Sequence, residues 1–153
     1  MTEPNKAADT TKDVVVHATG RGRYQQEVVS GSHRLIADEP ADVGGLDGGL
    51  GPYELLLASL GTCTAMTLRL YAEQKHWPLK DAQVRLRHSR IHAEDCAECE
   101  TKDGMLDRID RVITLEGDLT GEQRSRLMEI ADKCPVHRTL KSEIDIRTVE
   151  EER

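Results

Sequence analysis

The segment 52–75, beginning PYELLLASLGTCTAMTLRLYAEQ, constrains this chain more than any other. Pro52 suits a first helical turn, and the helical signal runs to about Lys75, with His76-Trp77-Pro78 closing it. Leu55, Leu56, Leu57, Leu60, Ala65, Met66, Leu68 and Leu70 fall on every side of that helix. A helix apolar all round belongs in the middle of a structure, so the remaining elements must cover it. Its uncharged run, Leu55 to Leu68, is shorter than the ~20 residues of a membrane span, and it reads as a core helix.

Little else can supply a core. Phe is absent and aromatics make up 3% of the 153 residues, leaving Leu, Val, Ile, Ala and Met. A chain so equipped is expected to cover its central helix with a second copy of itself. The net charge of −7, with basic residues scattered among acids, excludes a general nucleic-acid binder. Residues 1–12 read as a disordered leader with no apolar signal segment, and 13–153 as a single domain. The expectation is a soluble, cytoplasmic protein without membrane or nucleic-acid partners.

The pattern along the chain is α+β. Residues 14–20 and 23–31 are β-rich runs about a Gly20–Gly22 turn, and 32–40 is a third candidate strand. Five glycines between 41 and 52 mark a loop able to shape a pocket. Residues 79–93 alternate as a strand, as do 108–119. A helix follows over 120–134, with Thr120 and Gln123 as a capping box and Pro135 disturbing its end. Residues 142–148 look like a last strand.

Four cysteines in a reducing compartment point to catalysis or metal binding before a structural framework. Cys63 lies in the apolar helix, either as a small core residue or as a nucleophile needing a cation from elsewhere. Cys134 lies at a proline break beside His137 and Arg138, a setting open to thiol chemistry or to none. Cys96 and Cys99 form C-x-x-C with His88 and His92 upstream, which fits a zinc site, a redox dithiol or incidental loop cysteines. Glu94, Asp95, Glu98 and Glu100 beside them disfavour thiolates. His17, His33 and His76 have no ligand-spaced partner in sequence.

The stretch GPYELLLASLGTCTAMTL followed by IADKCPVH resembles the OsmC/Ohr family of thiol-dependent hydroperoxide reductases. The likeness rests on a glycine-rich loop, a Pro-to-Cys spacing of eleven (Pro52 to Cys63) and a second cysteine in Cys134-Pro135, and it spans roughly residues 13–148. The resemblance implies curved antiparallel sheets around long central helices in an intertwined homodimer, with the site at the subunit interface. It implies an antioxidant enzyme of oxidative stress, with an organic hydroperoxide as substrate and a dithiol as reductant, and no cofactor or metal. Cys63 would form a sulfenic acid and Cys134 would close a disulfide with it. An early arginine, Arg23 in preference to Arg21, would support the thiolate. Glu54 would hold that arginine, with Tyr53 occupying the aligned position one residue earlier. The insert AEDCAECETKDG departs from the family pattern, so a non-catalytic small-ligand or metal-binding module using residues 88–99 is the alternative.

Overall fold

The computed structural model describes residues 12–152, so the leader expected over 1–12 lies outside the described residues except for Lys12. The chain divides into two compact units, the division falling between Leu55 and Leu56 in the sequence.

The first unit holds β1 (Val15–Ala18), β2 (Gln26–Ser30) and β3 (His33–Ala37) in one antiparallel sheet of order β1-β2-β3. Gly20 and Gly22 carry positive φ in the first turn, as their spacing suggested. The glycine loop that follows is pinned by Asp38. Its carboxylate accepts hydrogen bonds from the N–H groups of Glu39 (2.8 Å) and Gly48 (3.2 Å) and from Gln25 Nε2 (3.3 Å). Burial opposes ionisation of Asp38, but these donors outweigh it and hold the group below the ordinary carboxylate range. The loop returns beside the sheet through a parallel bridge between Ala37 and Leu50. A side chain at Gly49 would collide with the Ile36 carbonyl there, so only glycine fits.

The second unit contains most of α1 (Pro52–Gln74), a long hairpin of β4 (Leu79–His92) and β5 (Met105–Gly117), α2 (Gly121–Ala131) and α3 (Pro135–Lys141). The hairpin register pairs Ala82 with Leu115, Val84 with Ile113 and Leu86 with Arg111, placing these residues on one face. On that face Leu68 and Ala72 of α1 meet Leu127, Ile130 and Ala131 of α2, with Leu79 and Leu119 beside them. Gly61 admits the close approach of α1 to Leu86. Arg69 donates from α1 to the Leu79 and Lys80 carbonyls, which fixes the only basic residue of the helix on β4. Thr120 and Gln123 form the capping box of α2 as expected.

Antiparallel sheets with three α-helices make an α+β fold. Two details differ from the sequence reading. Pro135 does more than disturb a helix end: it starts α3, with Cys134 as the N-cap residue. Residues 143–152 have no ladder partner among the described residues, which form no strand where the last one was expected. Ile144 and Ile146 there are 51% and 82% exposed, an alternating apolar pair with no ladder partner among the described residues.

Candidate functional site

Arg111 occupies an inward position of β5, in line with Ile109, Ile113 and Leu115, and its side chain is 12% exposed. A guanidinium cannot lose its charge there, so it has to collect acceptors. Its Nη1 donates to Thr64 Oγ1 at 3.0 Å, and its Nη2 to Asp132 Oδ1 at 2.8 Å and His137 Nδ1 at 3.2 Å. One strand residue therefore ties α1, the end of α2 and α3 together.

Thr64 is fully buried on α1, directly after Cys63. Its hydroxyl donates to the Leu60 carbonyl at 2.6 Å, and its oxygen lies 3.7 Å from Cys134 Sγ. A threonine has one hydroxyl proton. With that proton on Leu60, the Thr64 oxygen is an acceptor toward both Arg111 and the Cys134 thiol. Cys134 is fully buried too, and its sulfur accepts the His137 N–H at 3.3 Å.

Burial, followed by the Arg111 charge, pushes His137 below the ordinary imidazole value; Asp132 partly offsets this and Lys141 adds to it. A neutral imidazole fits the geometry, because Nδ1 must present a lone pair to Arg111. A cavity of about 450 Å³ opens beside this network. Leu60, Ile109 and Leu140 give it apolar walls, and Arg111, His137 and Lys141 face Asp107 and Asp132 around it.

Both sequence-predicted cysteines are free thiols in this unit. Cys63 is partly exposed in the middle of α1, whereas Cys134 is sealed from solvent. The helix brings Cys63 within one residue of the Thr64–Cys134 contact. Arg23 and Glu54 lie in the first unit. The Arg23 guanidinium sits 5.9 Å from the centre of the Tyr24 ring, and Arg21 occupies the turn before it, its N–H on Thr19 Oγ1. Glu54 Oε2 accepts the Gly51 N–H at 2.7 Å, so its carboxylate caps the start of α1. Tyr53 is 61% exposed beside it.

The zinc reading of the insert is not supported. Cys96 and Cys99 are disulfide-bonded to each other, and His88 Nε2 lies 2.8 Å from Asp107 Oδ1. Among the described residues no three His, Cys, Asp or Glu side chains gather as a metal site. His17 lies 3.0 Å from Glu27, and His76, at φ 57°, terminates α1.

Sequence reasoning noticed His137 beside Cys134 but missed Arg111, Thr64 and Asp132. The signal for Arg111 was available. In RIDRVITLEG the alternation Ile109–Ile113–Leu115 is apolar except at 111, and a charge on an inward strand position needs a buried partner.

The OsmC-like protein family matches residues 45–149. An OsmC-like protein from Mycoplasma pneumoniae has a similar structure, with a TM-score of 0.67 and 19% identity over 87% of this chain and 89% of that one. An organic hydroperoxide resistance protein from Legionella pneumophila gives a TM-score of 0.63 and 20% identity, covering 90% and 94%. The organic hydroperoxide resistance protein OhrB of Bacillus subtilis gives 0.57 and 21%, covering 88% and 93%. No curated protein matches. At these identities the structures speak for the fold alone. Together with the family match over more than half of its length, they establish that the chain belongs to the OsmC-like family.

Proposed function

We propose that this chain is a cysteine-based thiol peroxidase that reduces organic hydroperoxides. The observation that carries the proposal is the unequal burial of two free thiols: Cys63 is partly exposed, and Cys134 is fully buried, its sulfur 3.7 Å from the hydroxyl of Thr64, the residue after Cys63. An incoming peroxide meets Cys63 first, and Cys134 is held in reserve. The Legionella pneumophila and Bacillus subtilis relatives, named for organic hydroperoxide resistance, support the same class of substrate.

In this reading the Cys63 thiolate attacks the terminal oxygen of ROOH. The O–O bond breaks, the alkoxide takes a proton and leaves as ROH, and Cys63 becomes a sulfenic acid. Cys134 sulfur then attacks Cys63 sulfur, water leaves, and a disulfide forms. An external dithiol reduces that bond by two exchanges and leaves as its own disulfide. Arg23 is the proposed cation for the thiolate, with Glu54 in the role of its holder, and no cofactor is required.

The working form in this proposal is a cytoplasmic homodimer with 13–153 as one domain. Met66 and Leu70, 70% and 57% exposed on α1, support a covering partner, as do the exposed residues Ile146 and Val149. Stopped-flow measurement with cumene hydroperoxide tests the chemistry. Wild-type protein should consume one equivalent without added reductant, and Cys63→Ser none, with circular dichroism unchanged. Full consumption by Cys63→Ser would remove Cys63 from the mechanism.

A further inference from the structure

Residues 93–104 close the β4–β5 hairpin with an insert that the peroxide chemistry leaves unused. Cys96 and Cys99 are joined there, their Cα atoms 5.4 Å apart, and both are half-buried, so a small reagent can reach the sulfur pair. The loop is held by other bonds as well. Ala93 N–H donates to the Gly104 carbonyl at 2.8 Å, Cys96 N–H to the Ala93 carbonyl at 3.1 Å, and Lys102 Nζ to the Ala97 carbonyl at 3.2 Å. Ala93 is fully buried beneath them.

A disulfide restrains the unfolded chain least when the loop it closes is short. Here the two residues are three apart in sequence, within a loop already hydrogen-bonded. The bond is therefore a weak staple, and its chemistry needs another account. The charge around it is one-sided. Glu94, Asp95, Glu98, Glu100 and Asp103 are all exposed, and Lys102 is the single base among residues 93–104.

We propose that Cys96–Cys99 is a thiol–disulfide exchange site selective for cationic thiols, its natural partner being a dithiol carried on a basic protein surface. A thiolate attacks one of the two sulfurs, the S–S bond breaks, and the electron pair leaves on the other sulfur, which takes up a proton. A second thiolate releases the mixed disulfide, so two RSH are oxidised to RSSR while the protein gains two thiols. The surrounding carboxylates concentrate cationic thiols and repel anionic ones. They also disfavour thiolate as a leaving group, so approach must be assisted for exchange to be fast.

The test uses the full chain with no hydroperoxide present, so it stands or falls apart from the peroxidase reading. Cysteamine, a cation, and mercaptoethanesulfonate, an anion, are each reacted with the protein. Mass spectrometry follows loss of the Cys96–Cys99 bond, and each rate is divided by that thiol's rate on a neutral small disulfide. The expected result is a preference for cysteamine of about tenfold or more at low ionic strength. That preference should shrink at high salt and in the Glu98→Gln/Glu100→Gln variant. Equal normalised rates, a preference for the anion, or a bond that neither thiol opens would overturn the proposal.

Discussion

Arg111 Nη1 donates to Thr64 Oγ1 at 3.0 Å, and through that one oxygen a strand cation is coupled to the buried thiol of Cys134. Thr64→Val keeps the shape and removes the acceptor. It leaves Arg111 one bond short and the thiol proton without its acceptor, while the sulfur keeps the His137 N–H. An unmet buried polar group costs about 1–3 kcal/mol, so chemical denaturation should show a loss in that range. A neutral result would mean that water or a shifted side chain takes over the role of the hydroxyl.

His137 has a depressed proton affinity in the folded chain, owing first to burial and then to Arg111. The folded protein therefore binds fewer protons than the unfolded one. The stability that this group contributes is fully present above about pH 6.5, the unfolded value, and is lost as pH falls through the folded value. NMR titration of the imidazole should give a midpoint below the ordinary one. Arg111→Met should raise it and Asp132→Asn should lower it further. Shifts in the reverse order would remove Arg111 as a cause.

Asp38 acts in the same direction at lower pH. Its folded value is depressed, so its contribution is present above the unfolded value near about 3.9 and disappears as pH falls through the folded one. Asp38→Asn should flatten the acid limb of the stability curve. Acid unfolding identical to wild type would place the loop's stability elsewhere, with the Ala37–Leu50 bridge as the next candidate.

Peptide mapping after one equivalent of cumene hydroperoxide should find Cys63 joined to Cys134, with Cys96–Cys99 bonded as before. In Cys134→Ala, Cys63 should stop at the sulfenic acid and over-oxidise with excess peroxide. If Cys63 and Cys134 both stay reduced while peroxide is consumed, the assignment of the pair is wrong.

Sedimentation should show a dimer at micromolar concentration, with a melting temperature that rises with protein concentration. Substituting Met66 and Leu70 together by Gln should weaken association. A folded monomer in the wild type would contradict the proposed covering partner.

Much of the fold was legible because its signals are local. Pro52 at a helix start, the Thr120–Gln123 box and the alternation of 79–93 each act within a few residues. The same locality explains the misses. Cys134-Pro135 was legible as a break, yet only the path of the chain beyond it shows a new helix beginning. Residues 142–148 have a strand's alternation, but a ladder needs a neighbour, and none is supplied by the described residues. The two cysteines were found through motif spacing. The residues that connect them to the rest of the site were not, because Arg111, Thr64 and Asp132 meet only when β5, α1 and the end of α2 are packed.

The joint between α2 and α3 divides mobility unequally between the two thiols. Cys63 is anchored mid-helix, so displacing its sulfur by more than a rotamer change means moving a 23-residue rod. Cys134 is the N-cap residue of α3: its backbone is extended, and among the described residues its sulfur accepts the His137 N–H and touches the Thr64 hydroxyl. Turning its side chain costs those two weak links, whereas moving its backbone also costs the bonds from Cys134 N–H to the Ala131 carbonyl and from Arg138 N–H to the Cys134 carbonyl. Any bond between these sulfurs would thus be made by the latch travelling to the bolt, and the rate of its closing would be set by how readily the α2–α3 corner loosens.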